Sequence, residues 1–120
     1  MLYRAIGEYE HYLSRIGYAS SNDGYLFSRR DGMAFNPILD YEKYGIEDPR
    51  LSEIDNQIYF TYVVLPDHPK KGPMVSTALA TTRDYSKFER LGIITNEGMD
   101  NKDVVLFPTQ LPSKNTPNNE

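Results

Sequence analysis

Between residues 47 and 50 the sequence sets two carboxylates, a proline and a guanidinium side by side, Glu47-Asp48-Pro49-Arg50, ahead of the apolar alternation Leu51-Ser52-Glu53-Ile54. Proline fixes its own φ and biases the residue before it toward extended backbone, so Asp48 is expected to be extended and held at the mouth of a strand. A carboxyl so placed, in a partly desolvated cleft, can keep its proton and deliver it to a departing oxygen. The same four residues equally describe a charged surface turn in which Asp48 and Arg50 pair. Spacing alone leaves both readings open.

Few other residues offer chemistry. The chain has no cysteine, which removes disulfides, thiolate nucleophiles and Cys-ligated zinc together and suits a reducing compartment. His11 and His68 are scattered and read as surface residues, so no metal site and no resident cofactor are expected. A formal net charge of -4 argues against a nucleic-acid partner, because such partners are bound largely through clustered Lys and Arg on phosphates. Met1–Glu8 lacks the basic and apolar regions of a signal peptide, and no apolar run approaches the ~20 residues of a membrane span. A cytoplasmic chain with no membrane contact is the expectation. Tyr9/Tyr12 and Tyr59/Tyr62 read chiefly as pleat and core packing.

The elements that would position these groups are strands. Short β-type runs fall near Leu2–Ile6, Arg15–Ser20, Tyr25–Ser28, Arg50–Ile54, Gln57–Leu65, Met74–Thr82, Glu89–Ile94 and Val104–Phe107, and nothing sustains a helical period. Asp23-Gly24 marks a turn, Asp55-Asn56 a tight hairpin, and Asp67–Pro73 a surface loop. Residues 113–120 read as a polar disordered tail behind a domain at 1–112.

One pattern repeats. Ala19-Ser20-Ser21-Asn22-Asp23, followed by Phe27 and Arg29, returns 61 positions later as Ala80-Thr81-Thr82-Arg83-Asp84, followed by Phe88 and Arg90. A period of that length with several strands per copy indicates propeller blades. The expected fold class is therefore all-β, about two blades of an incomplete β-propeller. Two blades leave open sheet edges, which predicts a homo-oligomer formed through them or a longer parent chain.

Leu2-Tyr3-Arg4-Ala5, Ser14-Arg15-Ile16-Gly17, Gly45-Ile46-Glu47-Asp48-Pro49-Arg50, Tyr59-Phe60-Thr61-Tyr62, Phe88-Glu89-Arg90-Leu91-Gly92 and Asn101-Lys102-Asp103-Val104-Val105-Leu106-Phe107-Pro108, in that order, resemble glycoside hydrolase family 130. That family holds β-mannoside phosphorylases and some β-mannosidases. The resemblance implies a five-bladed propeller acting on a β-mannoside oligosaccharide. It implies that Asp48 is the single general acid, acting through a sugar hydroxyl while inorganic phosphate, as co-substrate, attacks the anomeric carbon with inversion. It places Lys102 on phosphate, puts Arg4, Arg15 and Glu47 in the substrate pocket, and gives Arg50 the task of orienting the acid. Further phosphate-binding arginines of the second blade have no clear counterpart, since the loop from Pro66 to Pro73 offers only Lys70 and Lys71. Neither histidine falls at the family's phosphate-contacting position, beyond Leu106-Phe107-Pro108. These departures lead to the expectation of a truncated member whose isolated chain lacks turnover, with a phosphate-independent β-mannosidase or a non-catalytic carbohydrate-binding or assembly module as alternatives.

Overall fold

The computed structural model describes residues 1–7, 12–67, 74–96 and 99–109. In chain order the strands are β1 (Leu2–Ile6), β2 (Ser14–Ser20), β3 (Ser28–Arg29), β4 (Ile46–Ile54), β5 (Gln57–Val64), β6 (Ser76–Thr82) and β7 (Phe88–Ile93), with one 3-10 turn at Asp40–Glu42. They form two antiparallel sheets of sequential order, β1-β2-β3 and β4-β5-β6-β7.

The sequence period is also a period of the backbone. Ala19 pairs with Arg29 and Ser20 with Ser28, and 61 residues on Ala80 pairs with Arg90 and Thr81 with Glu89. The intervening turn repeats as well. Asp23 Oδ1 accepts the amides of Tyr25 and Leu26, and Asp84 Oδ1 accepts those of Ser86 and Lys87. Gly24 and Tyr85, the matching residues, both have positive φ, 77° and 59°. Each turn is thus closed by a carboxylate acting on local amides, which holds both carboxyls below the usual carboxylate range. At Asp84 the Ser86 hydroxyl is the leading contributor, whereas at Asp23 it is the Leu26 amide.

That turn explains one departure from expectation. Tyr25–Ser28 was expected as a strand, but with the Tyr25 and Leu26 amides taken by Asp23 the ladder begins only at Ser28, and Tyr25 and Leu26 are exposed. Val104–Phe107 is the second departure. It joins no ladder; its segment is held by hydroxyls instead, Thr61 Oγ1 donating to the Val104 carbonyl, Ser52 Oγ to Leu106 (2.9 Å) and Thr77 Oγ1 to Asn101 (3.2 Å). The Asp55-Asn56 hairpin forms with both residues left-handed, φ 51° and 60°, matching the twist of the strands it joins. Residues 68–73 and the tail from 110 onward, including His68, lie outside the described residues, as do Tyr9 and His11.

The core lies between the sheets. Leu2, Ile16 and Phe35 meet Ile46, Phe60, Tyr62, Val64, Ala78 and Ala80, all buried. Phe35, bridged to Ile16 through both backbone groups (3.0 Å each), presents edge contacts to Phe60, Tyr62 and Phe88 at centroid distances of 5.2, 5.1 and 5.2 Å. Aromatic edge packing of this kind adds about 0.5–1.5 kcal/mol per pair beyond area burial.

Gly45 enters β4 at φ 130°, and a Cβ there would lie 2.6 Å from Ser14 Oγ and 3.1 Å from the Ser14 amide nitrogen. Gly45→Ala is therefore expected to lower stability by about 1–3 kcal/mol, read as a reduced urea midpoint at unchanged slope.

Candidate functional site

The acidic motif is built on an irregularity of β4. Glu47 pairs with Val63 and Arg50 with Thr61, so Asp48 and Pro49 together oppose the single residue Tyr62. This is a β-bulge, and Pro49, having no N–H, sits where the ladder is interrupted. The bulge overturns the extended backbone expected at Asp48, whose φ is 48°. Proline disfavours the right-handed region for its predecessor, but the bend demands a turned residue, and aspartate tolerates the left-handed region better than most, at about 1–2 kcal/mol. Arg50 Nη1 donates to the Asp48 carbonyl at 3.2 Å, while its Nη2 pairs with Asp103 Oδ1. Arg50 thus fixes the backbone of the bulge, with its charge on Asp103.

Beside the bulge lies a cleft of about 300 Å³ lined in part by Arg4, Tyr12, Glu47, Asp67, Asp100 and Lys102. Arg4 Nη2 meets Glu47 Oε1 at 2.6 Å, and the same oxygen accepts the Ser14 hydroxyl at 3.0 Å. The Arg4 guanidinium lies 6.0 Å from the Tyr12 ring centroid. Asp100 Oδ1 accepts the Val75 amide at 2.8 Å, pinning that wall to the start of the β6 segment. Three carboxylates and two cations therefore meet in one cleft, with Arg4 committed to Glu47 and Lys102 exposed.

Of the residues singled out in the sequence, Arg4, Glu47 and Lys102 line this cleft, whereas Asp48, next to Glu47 in the bulge, and Arg50 are not among its lining residues. Arg15 does not join them. It pairs with Ala5 while Arg4 pairs with Ile16, which puts the two arginines on opposite faces, and Arg15 lines a separate cleft with Gly7 and Met33. Among the described residues no three His, Cys, Asp or Glu side chains gather as metal ligands. Among the described residues no helix is long and apolar enough to cross a membrane.

Sequence reasoning missed the most completely buried charge among the described residues. Glu42, fully buried, accepts the Tyr62 hydroxyl and Arg90 Nε on Oε1 (2.8 Å each) and the Ile38 and Leu39 amides on Oε2 (2.8 and 3.1 Å). Arg90 also donates to the Asn36 carbonyl and lies 3.9 Å from the Phe35 ring centroid. Burial opposes the charged carboxylate, but Arg90 and the other donors outweigh it, so Glu42 titrates below the ordinary glutamate range. Burial first, then the bond to Glu42, pushes the Tyr62 phenol far up. This network locks the linker after β3 onto β5 and β7, and so aligns the two sheets whose junction carries the cleft. Its only trace in the sequence is that Arg90 is the repeat counterpart of Arg29.

Comparison with known proteins agrees with this architecture. The glycoside hydrolase family 130 model, described as beta-1,4-mannooligosaccharide phosphorylase, matches residues 1–115. The chain is 36% identical over 119 residues to a 1,2-beta-oligomannan phosphorylase of Thermoanaerobacter sp., covering 95% of this chain and 39% of that protein. It is 31% identical over 102 residues to a beta-1,2-mannobiose phosphorylase of Listeria innocua, covering 85% and 27%. A solved structure of the Listeria innocua enzyme with beta-1,2-mannobiose superposes with a TM-score of 0.70 at 33% identity, over 82% of this chain and 26% of that one. A glycosyl hydrolase structure from Bacteroides ovatus gives 0.66 at 28% identity, over 82% and 29%. The chain thus spans well under half the length of these relatives, as two blades of a larger propeller would. With the family match running from the first strand through the Lys102 segment and the fold superposing on the same enzymes, the chain belongs to glycoside hydrolase family 130.

Proposed function

We propose that this chain supplies the acid-bearing wall of an inverting β-mannoside phosphorylase. The observation that carries the reading is the position of Asp48 in a bulge directly after Glu47, which with Arg4 and Lys102 lines the cleft beside it. The names of the relatives support phosphorolysis of β-linked mannosides. A phosphate oxygen attacks the anomeric carbon, the glycosidic C–O bond breaks, and the departing oxygen takes the proton of a sugar hydroxyl, which in turn takes the proton of the Asp48 carboxyl. The products are mannose 1-phosphate and a saccharide shortened by one unit. Lys102 provides a point charge for phosphate, and the Arg4–Glu47 pair, fixed by Ser14, presents a rigid polar wall to the sugar.

A chimera tests this. The matching stretch of the Listeria innocua β-1,2-mannobiose phosphorylase is exchanged for residues 1–109 of this chain, and the folded chimera is given β-1,2-mannobiose with and without inorganic phosphate. Mannose 1-phosphate formed in step with disaccharide consumed, and only with phosphate present, is the expected result. Free mannose released at the same rate in phosphate-free buffer would make it a β-mannosidase instead.

A further inference from the structure

One guanidinium ties together two strained aspartates. Arg50 donates from Nη1 to the Asp48 carbonyl and from Nη2 to the Asp103 carboxylate, and both aspartates have left-handed backbone, φ 48° and 67°. Stability does not account for this arrangement. The Arg50 and Asp103 side chains keep 35% and 53% of their surface in solvent, where an ion pair contributes little, and left-handed backbone at two non-glycine residues works against folding. Strain retained at two residues held by one side chain points to a task for the geometry itself.

The segment bearing Asp103 is docked without joining a ladder. The Val75 amide donates to Asp100, the Asn101 amide to the Val75 carbonyl at 3.0 Å, and the Thr77 and Thr61 hydroxyls to the Asn101 and Val104 carbonyls. Backbone is thus pinned on both sides of Lys102-Asp103, which makes the Asp103 carboxylate a fixed anchor. Across the clasp, Glu47 is paired with Val63 and Pro49 has its φ set by its ring, so the adjustable torsion of the bulge is ψ of Asp48. Its carbonyl is the atom that Arg50 holds. One neutral contact at 3.2 Å is too weak to immobilise a long arginine side chain. The Asp103 carboxylate completes the task by fixing the second nitrogen of the fork.

We propose that Asp103 is a positioning residue for proton transfer: it locks Arg50, Arg50 locks the Asp48 carbonyl, and the direction in which the Asp48 carboxyl leaves the bulge is thereby set. The inference rests on the reading of Asp48 as the general acid. Asp103 acts through Arg50 and exchanges no proton of its own. The same clasp fastens the segment that carries Lys102 to the strand that carries the acid.

The test uses the chimera and Asp103→Asn, which removes the charge but keeps a residue that tolerates left-handed backbone. Turnover of β-1,2-mannobiose in phosphate is expected to fall about 10- to 100-fold, the scale on which a misplaced group slows a reaction. Dinitrophenyl β-mannoside, whose phenolate departs without a proton, should lose less than about twofold. In an Asp48→Asn background the same substitution should cost nothing more on the disaccharide, because a residue acting through the acid then has nothing to position. Arg50→Lys, whose compact ammonium lacks the two-nitrogen fork, should reproduce the selective loss. Unchanged turnover of the disaccharide, equal losses on the two substrates, or a loss that adds in full to that of Asp48→Asn would overturn the proposal. A silent Asp103→Asn beside a damaging Asp48→Asn removes the role of Asp103 alone; a silent Asp48→Asn removes the acid and this inference with it.

Discussion

Glu42→Ala is expected to destabilise the chain by about 3–5 kcal/mol, a large part of the ~5–15 kcal/mol by which small domains are stable. The size follows from what is left behind. Arg90 keeps its charge at a largely buried site with its carboxylate gone, and the Tyr62 hydroxyl and the Ile38 and Leu39 amides lose their acceptor. Unpaired buried groups cost far more than the pair itself contributes. A double variant, Glu42→Met with Arg90→Met, should accordingly be less damaging than Glu42→Ala alone in urea unfolding. The pH dependence has a definite sign. The folded carboxyl titrates below its ordinary value, so its contribution is full above the unfolded value, about 4.3, and is lost as pH falls through the lower folded one. Wild type should lose this increment on acidification through that window, and Glu42→Gln should not.

How the fold was legible in the sequence differs from element to element. β1 was expected at its observed limits, and the Asp55-Asn56 turn at its observed place, because short β-type runs and turn residues are local signals. The 61-residue period extended further than strand prediction, down to matched ladder pairs and matched aspartate turns. Tyr25–Ser28 and Val104–Phe107 were misread for a shared reason. Both have strand-like side chains, but the Asp23 carboxylate and the hydroxyls of Ser52 and Thr61 bind backbone groups of these segments. Side-chain competition for backbone groups leaves no mark in hydropathy.

The candidate site was legible in part. Residue type and order pointed to Asp48, Glu47, Arg4 and Lys102, and three of these line one cleft. The left-handed Asp48 was not foreseen, because the bulge depends on β5 opposing Asp48-Pro49 with one residue, a fact of register that sequence position does not carry. Arg15 was grouped with Arg4 by motif order, yet a one-residue difference in strand phase puts it on the other face. Glu42 itself drew no notice, since its side-chain partners Tyr62 and Arg90 lie 20 and 48 residues away.

The second large effect is at Asp48. Within the chimera, Asp48→Asn should lower turnover of β-1,2-mannobiose by about 10²–10⁴-fold, the usual contribution of a positioned general acid. Asparagine keeps the size of the side chain and, like aspartate, tolerates the left-handed backbone, so the bulge should survive and the fold should be unchanged. Loss of activity then reports the missing proton.

The most direct measurement compares two leaving groups in that variant. A mannose unit leaving as an alkoxide needs the proton; dinitrophenolate, a weak base, departs without it. With Asp48 as the acid, Asp48→Asn should cost about 10²–10⁴-fold on β-1,2-mannobiose and less than about tenfold on dinitrophenyl β-mannoside, both in phosphate. Equal losses on the two substrates, or no loss on either, would contradict the assignment of Asp48 as the proton donor.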